Sequence, residues 1–226
     1  MRLFDLIDAV NDVCFWDGKL AASDRVRIAK QIASTQGKPG AYAATFALDA
    51  TERKKGIRLF TGEITQSAAA RHIAGEEACR ALLLLDVNDK PVKDVLTSAS
   101  QSLLDVLRRS EREHKDSTMG GNPGTFCCCR CSVSVWRHIT AGGLDRAEDR
   151  LAGGLRKLKQ YRSDGRWGAF PFWYTLSALV EMDIPQVKSE IKSVASLLER
   201  AAKRTSSANV YEERRSEVAR RCLQKI

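Results

Sequence analysis

Histidine, methionine and proline are scarce in this chain, with three, three and five copies among 226 residues. So few prolines leave long stretches free of helix breakers. No apolar run approaches the roughly 18 residues of a membrane-crossing helix, which excludes a helical membrane span. The opening MRLFDLIDAVNDVCFW carries acids at positions 5, 8 and 12, so it lacks the uninterrupted apolar core of a secretory signal. Strand-like alternation is rare. A Walker-type phosphate loop, a dinucleotide-binding glycine pattern, a nucleophile elbow and the common nucleic-acid motifs are all missing. Their absence removes the familiar nucleotide-dependent and acyl-transfer enzymes.

What is present favours helix. Ala, Leu, Arg, Lys and Glu dominate the periodic segments, and the length suffices for a sizeable core. Seven cysteines, an odd number without an export signal, point to a reducing cytoplasm and free thiols. The net charge of +9 would suit a polyanion or nucleic acid. Its clusters at 53–55, 108–112, 156–166 and 214–221 are interleaved with acids, however, as solvated helix faces are.

Apolar positions recur at helical spacing over 3–16, and Ser23-Asp24 opens a second helix to about Thr35. A breaker spans 36–42, and 49–62 reads as a loop or short extended excursion. A long helix over 63–85 ends in ALLLLD. Asn88-Asp89-Lys90-Pro91 then makes a stop and a restart, followed by a helix to about Glu113. The loop 114–124 leads to helices at roughly 125–140, 145–162, 170–183, 186–204 and 208–224. Short connections between amphipathic helices make antiparallel hairpins the expected arrangement. The fold class is therefore all-α. A single domain is expected, with N-terminal helices and a loop to residue 62, hairpin repeats over 63–204, and a final helix. A weak signature of glycine, one residue and an aromatic recurs as Gly40-Ala41-Tyr42, Gly124-Thr125-Phe126 and Gly165-Arg166-Trp167, each expected to lead into a small apolar helix. The intervals are 84 and 41 residues, close to two periods and one.

The run DGRWGAFPFWYTLSALVEMD resembles the repeat of α/α-toroid proteins, the family of terpenoid cyclases and protein prenyltransferase β-subunits. Asp164, Gly165 and Trp167 match its turn, and Tyr174, Thr175, Ala178 and Leu179 match its inner helix. GGNPGTFCCCRCSVSVW over 120–136 is similar, and QGKPGAYAATFA over 36–47 is a fainter copy. The resemblance implies a partial or complete ring of hairpins, and the four or five hairpins here fall short of the usual six or so. An incomplete ring, a decorated half-ring or a homodimer would each meet that count. The family's catalytic residues do not carry over. Asp86-Val87-Asn88-Asp89 has Asn within the cyclase acid motif and lies where turn and cap residues are expected. The prenyltransferase zinc ligands would need an Asp before the cysteines and a His where Phe172 or Trp173 stands.

Three groups of residues carry possible chemistry. FCCCRCS places Cys127 and Cys131 four apart, and Cys128 and Cys131 three apart, on one helical face. Two thiolates so spaced could hold half of a tetrahedral zinc site, or act as small buried hydrophobes. His138 shares that face but lies about 10 Å further along the helix. His72, Glu76 and Arg80 form a second line at i,i+4 spacing, a general base with its orienting partner or an ordinary helix-surface triad. Arg130, among four cysteines, calls for an acidic partner or an anionic ligand. Phe126, Trp136, Phe172, Trp173 and Tyr174 are candidates to line a central cavity, with core packing as the alternative. The resulting expectation is a module that binds a small molecule or a protein partner on a concave, aromatic-rich surface. A divergent cyclase- or prenyltransferase-like enzyme and a polyanion binder are the alternatives.

Overall fold

The structure, a computed structural model, describes residues 2–113, 119, 121–204 and 209–226, with only the backbone of Ser67. Much of the loop expected over 114–124 lies outside the described residues, as does the connection at 205–208. Among the described residues the chain is mostly helical, with two short two-stranded hairpins. The N-terminal part holds α1 (Leu3–Phe15), α2 (Ala22–Ala33), α3 (Ala50–Lys55), β1 (Ile57–Arg58) and β2 (Ile64–Thr65). Then come α4 (Ser67–Leu85), α5 (Lys90–Glu113), α6 (Cys129–Thr140) and α7 (Ala147–Gln160). The remainder is β3 (Arg162–Ser163), β4 (Arg166–Trp167), α8 (Phe172–Glu181), α9 (Gln186–Lys192), α10 (Ala195–Ala202) and α11 (Val210–Gln224). No helix among these residues is long and apolar enough to cross a membrane.

Two helices occupy the centre. α4 packs on α1, α2, α5 and α6, and α6 packs in turn on α7 and α8. Residues 73–82 of α4 and 131–139 of α6 are buried without interruption. A helix enclosed on every side needs no amphipathic stripe, and its polar residues must find partners on its neighbours. α11 closes the far side against α8 and α10. It also reaches back to α1, where Arg214 grips Asp8 at 2.8 and 3.0 Å and lies near Asp12.

The turn before α6 is held tightly. Trp136 donates from Nε1 to the Gly124 carbonyl at 2.6 Å, and its ring stacks on Phe170. Gly124 has φ +76°, and a Cβ there would sit 1.7 Å from the Arg150 carbonyl oxygen. Gly124→Ala therefore meets both a left-handed conformation and a backbone collision. We expect a loss of roughly 3 kcal/mol, a fall in melting temperature of about 6–12 °C for a chain this long. Thermal unfolding checks it, and an unchanged melting temperature would contradict the packing described.

Several expectations are corrected. Part of the expected excursion over 49–62 is helical, because Asp49 and Glu52 cap α3 reciprocally: Glu52 N donates to Asp49 Oδ1 at 2.7 Å, and Asp49 N to Glu52 Oε2 at 3.0 Å. The single helix expected over 186–204 is broken between α9 and α10, where the Ser193 hydroxyl donates to the Glu190 carbonyl at 2.6 Å. No helix follows Tyr42. Ala43 and Ala44 take φ of 47° and 55°, and Phe46 pairs with Gln36 in an isolated bridge. Asp164 and Gly165, at φ 47° and 72°, turn β3 into β4 as a tight hairpin rather than simply linking two helices. The Trp167 indole N–H donates to Glu190 Oε2 at 3.0 Å, a carboxylate that Arg162 also binds.

Candidate functional site

α6 begins later than its sequence pattern suggests. Cys128 is its N-cap, extended at φ −150° and ψ 172°, and Cys127 precedes it with φ +54°. Cys127 therefore does not share a helical face with Cys131. It is delivered by a tight turn in which Cys128 N donates to the Phe126 carbonyl at 2.5 Å. Phe126 N donates to Ser132 Oγ at 2.9 Å, which fixes the turn against the first helical turn. The consecutive cysteines diverge as a result. Cys127 is exposed, Cys128 is half-buried at the helix end, and Cys129 is buried with its sulfur 3.8 Å from that of Met119. Cys131, in the first turn of α6, is fully buried.

The fourth donor comes from α4. His72 Nδ1 lies 3.6 Å from Cys131 Sγ, and Cys128 Sγ lies 3.5 Å from the same sulfur. The ligand atoms of His72, Cys127 and Cys131 all fall within 4.8 Å of one another. Zinc bound at its usual S and N distances puts the ligand edges of a tetrahedron at about 3.5–3.8 Å. Two edges already match; Cys128 touches Cys131 but stands outside the group whose ligand atoms all lie within 4.8 Å of one another, so it is the donor that must move in. The imidazole packs against two aromatic rings, with centroids 3.7 Å away for Tyr42 and 5.3 Å for Phe126. Burial pushes the His72 pKa below its ordinary value, which favours the neutral imidazole that a metal binds. Contacts with the sulfurs of Cys127 and Cys131, aided by backbone N–H groups at the start of α6, hold the Cys128 thiol well below the usual range. Its neighbour Cys131 is pushed up by the same sulfur contacts and by burial.

The line of His72, Glu76 and Arg80 along α4 does not act as a unit. His72 serves the cysteines, and Glu76 accepts from buried His138 Nδ1 at 2.6 Å. Arg80 binds Glu181 Oε1 at 2.7 Å and the side-chain oxygen of Asn11. Arg130 needs no acid, because it is half-buried and donates to the Ile64 carbonyl at 3.2 Å, with Thr65 Oγ1 at 3.5 Å.

Arg80 belongs to a buried charge network that sequence reasoning missed. Arg137 of α6 pairs with Glu77 of α4 at 2.9 Å and Glu181 of α8 at 3.1 Å. Tyr174 donates to Glu77 at 2.5 Å, and Asn11 donates to Glu77 at 3.4 Å. The two arginines balance the two glutamates. Burial opposes ionisation of Glu181, but Arg137 and Arg80 outweigh it and hold its carboxyl below the usual range. The acidic partners of Arg137 were visible only as residues on separate helices, with no spacing to connect them.

The aromatic candidates pack into the core to different depths. Trp136 and Tyr174 are fully buried, Phe126 nearly so, and Phe172 and Trp173 half-buried. Phe172 stacks on Trp167 beneath Arg166. Asp86 and Asp89, from the near match to the cyclase motif, are terminal residues of helices. Asp86 ends α4 at φ 43°, and Asp89 accepts from Val92 N at 3.2 Å and pairs with Lys30. A surface cleft of about 450 Å³ runs between α1, α3 and α11, lined by Asp5, Asp8, Lys55 and Arg214 among others. It shares no lining residue with the thiol cluster. No protein-family model matches the chain, and neither a curated protein nor a solved structure is significantly similar to it.

Proposed function

We propose that the chain is a zinc-binding helical module in which His72, Cys127, Cys128 and Cys131 hold one metal ion. The observation that carries this reading is the 3.6 Å approach of His72 Nδ1 to Cys131 Sγ between two helices, with the Cys127 thiol in the same group and the Cys128 thiol 3.5 Å from Cys131. Three thiolates and one imidazole form a closed ligand set of the structural-zinc type. With all four positions filled by protein, the chemistry of the site is to bind and cross-link rather than to activate water. The ion would tie α4 to the start of α6, and so fix the turn 124–128 that feeds the central helix.

The scaffold around it we read as toroid-like. In support, the turns at Gly124 and Gly165 each carry an aromatic into the core ahead of a buried helix, and those helices, α6 and α8, pack on each other. The metal would brace the first of these two turns.

Elemental analysis of protein purified without chelator tests the reading. About one zinc per chain is expected, falling to near zero in His72→Gln. A metal-free wild-type protein that cannot be reloaded with zinc would defeat it.

A further inference from the structure

Resting on that metal reading, we propose that Cys128 and Cys131 form a redox latch: a hydroperoxide joins them as a disulfide and discharges the zinc. The geometry selects this pair among the cysteines of the cluster. Their sulfurs are 3.5 Å apart, so an approach of about 1.5 Å completes a disulfide. Cys128 is extended at the N-cap of α6 and Cys131 lies in its first turn, so one backbone hinge separates them. Cys129 faces Met119, and Cys127 stands outside α6 on a turn with φ +54°. Cys128 is partly exposed and Cys131 is fully buried, which assigns their roles. An oxidant reaches the first, and the second is shielded from solvent.

The chemistry balances with hydrogen peroxide as oxidant. The Cys128 thiolate attacks one peroxide oxygen, the O–O bond breaks, and hydroxide leaves a sulfenic acid on Cys128. The Cys131 thiolate then attacks that sulfur, the S–O bond breaks, and a second hydroxide departs as the disulfide forms. Two thiolates lose two electrons, the peroxide gains them, and two protons from solvent turn both hydroxides into water. Only His72 and Cys127 remain as ligands, too few to retain a structural zinc ion, which leaves hydrated. The link between α4 and α6 is then broken while the covalent chain stays intact. The latch thus converts an oxidising signal into a local loosening at the head of the central helix.

The test uses the zinc-loaded full chain with stoichiometric hydrogen peroxide. Zinc release is followed with a chromogenic chelator, and cysteines are mapped by mass spectrometry after alkylation. Tryptic cleavage after Arg130 separates Cys131 from Cys127, Cys128 and Cys129, so the disulfide appears as a linked peptide pair whose fragmentation shows which of the three is joined. We expect one Cys128–Cys131 disulfide for each zinc released, reversed by dithiothreitol and added zinc, with both measures unchanged in Cys129→Ala. Zinc that stays bound, or leaves without that disulfide, would overturn the latch and leave the metal reading standing. Reduced protein that cannot be loaded with zinc would overturn the metal reading, and the latch with it.

Discussion

Arg137→Leu is expected to destabilise the protein by about 3–5 kcal/mol, because it strands buried carboxylates without their cation. Arg137 is almost fully enclosed, as is its partner Glu77. Removing the guanidinium leaves Arg80, which binds Glu181, as the remaining cation of the network against two glutamates, with a net negative charge in a poorly solvated site. A typical domain is stable by about 5–15 kcal/mol, so this single change takes a large share of it. The melting temperature should fall by roughly 6–20 °C. Glu77→Gln in the same chain restores neutrality and should recover part of the loss, making the double variant more stable than the sum of singles implies. Thermal and denaturant unfolding of all three variants measure this. Additive losses would mean the ion pair is not coupled as described.

Cys131→Ser should have the second large effect, on metal rather than on the apo fold. Its sulfur makes the 3.5 and 3.6 Å contacts that centre the site, so it is the ligand whose loss opens the tetrahedron most. Even changes to residues that only hydrogen-bond a zinc ligand cost roughly 10–100-fold in affinity. Loss of a thiolate that would bind the metal itself should exceed 100-fold. The wild-type protein should also gain about 4 kcal/mol when free zinc exceeds its dissociation constant a thousandfold, and lose that gain to a chelator. Cys131→Ser should unfold at the same temperature with or without chelator. Calorimetry in matched buffers distinguishes the two behaviours. A variant that keeps its chelator sensitivity would place the metal elsewhere.

Much of the helical framework could be read from periodicity. The stop at Asn88-Asp89 and the restart at Lys90-Pro91 fall where α4 ends and α5 begins, because cap and first-turn preferences are local. The break between α9 and α10 left no comparable signal, since a serine bonding to a nearby carbonyl can sit inside a continuous helix as well. The site was legible only in part. The spacing of Cys128 and Cys131 was plain, and so was the candidacy of Cys127. His72 lies far away in sequence, and its i,i+4 pattern with Glu76 and Arg80 suggested a line along one helix. In an enclosed helix that pattern has no special standing, because each polar side chain points to a different neighbour. His72 turns to α6 and the cysteines, Glu76 to His138, and Arg80 to Asn11 and Glu181. The positive φ of Cys127 was also hidden, since nothing in a run of three identical residues marks which one makes the turn.

Cobalt substitution tests the account most directly, because the electronic spectrum reports ligand type and geometry together. Adding Co(II) to the metal-free, reduced protein should give one equivalent of intense visible bands of tetrahedral cobalt, with strong sulfur-to-cobalt charge transfer in the near ultraviolet. Zinc should displace it stoichiometrically, and the charge-transfer intensity should fall in Cys127→Ser, Cys128→Ser and Cys131→Ser alike. Weak bands of six-coordinate cobalt, or a spectrum indifferent to these three substitutions, would contradict a site built from His72 and the three thiolates.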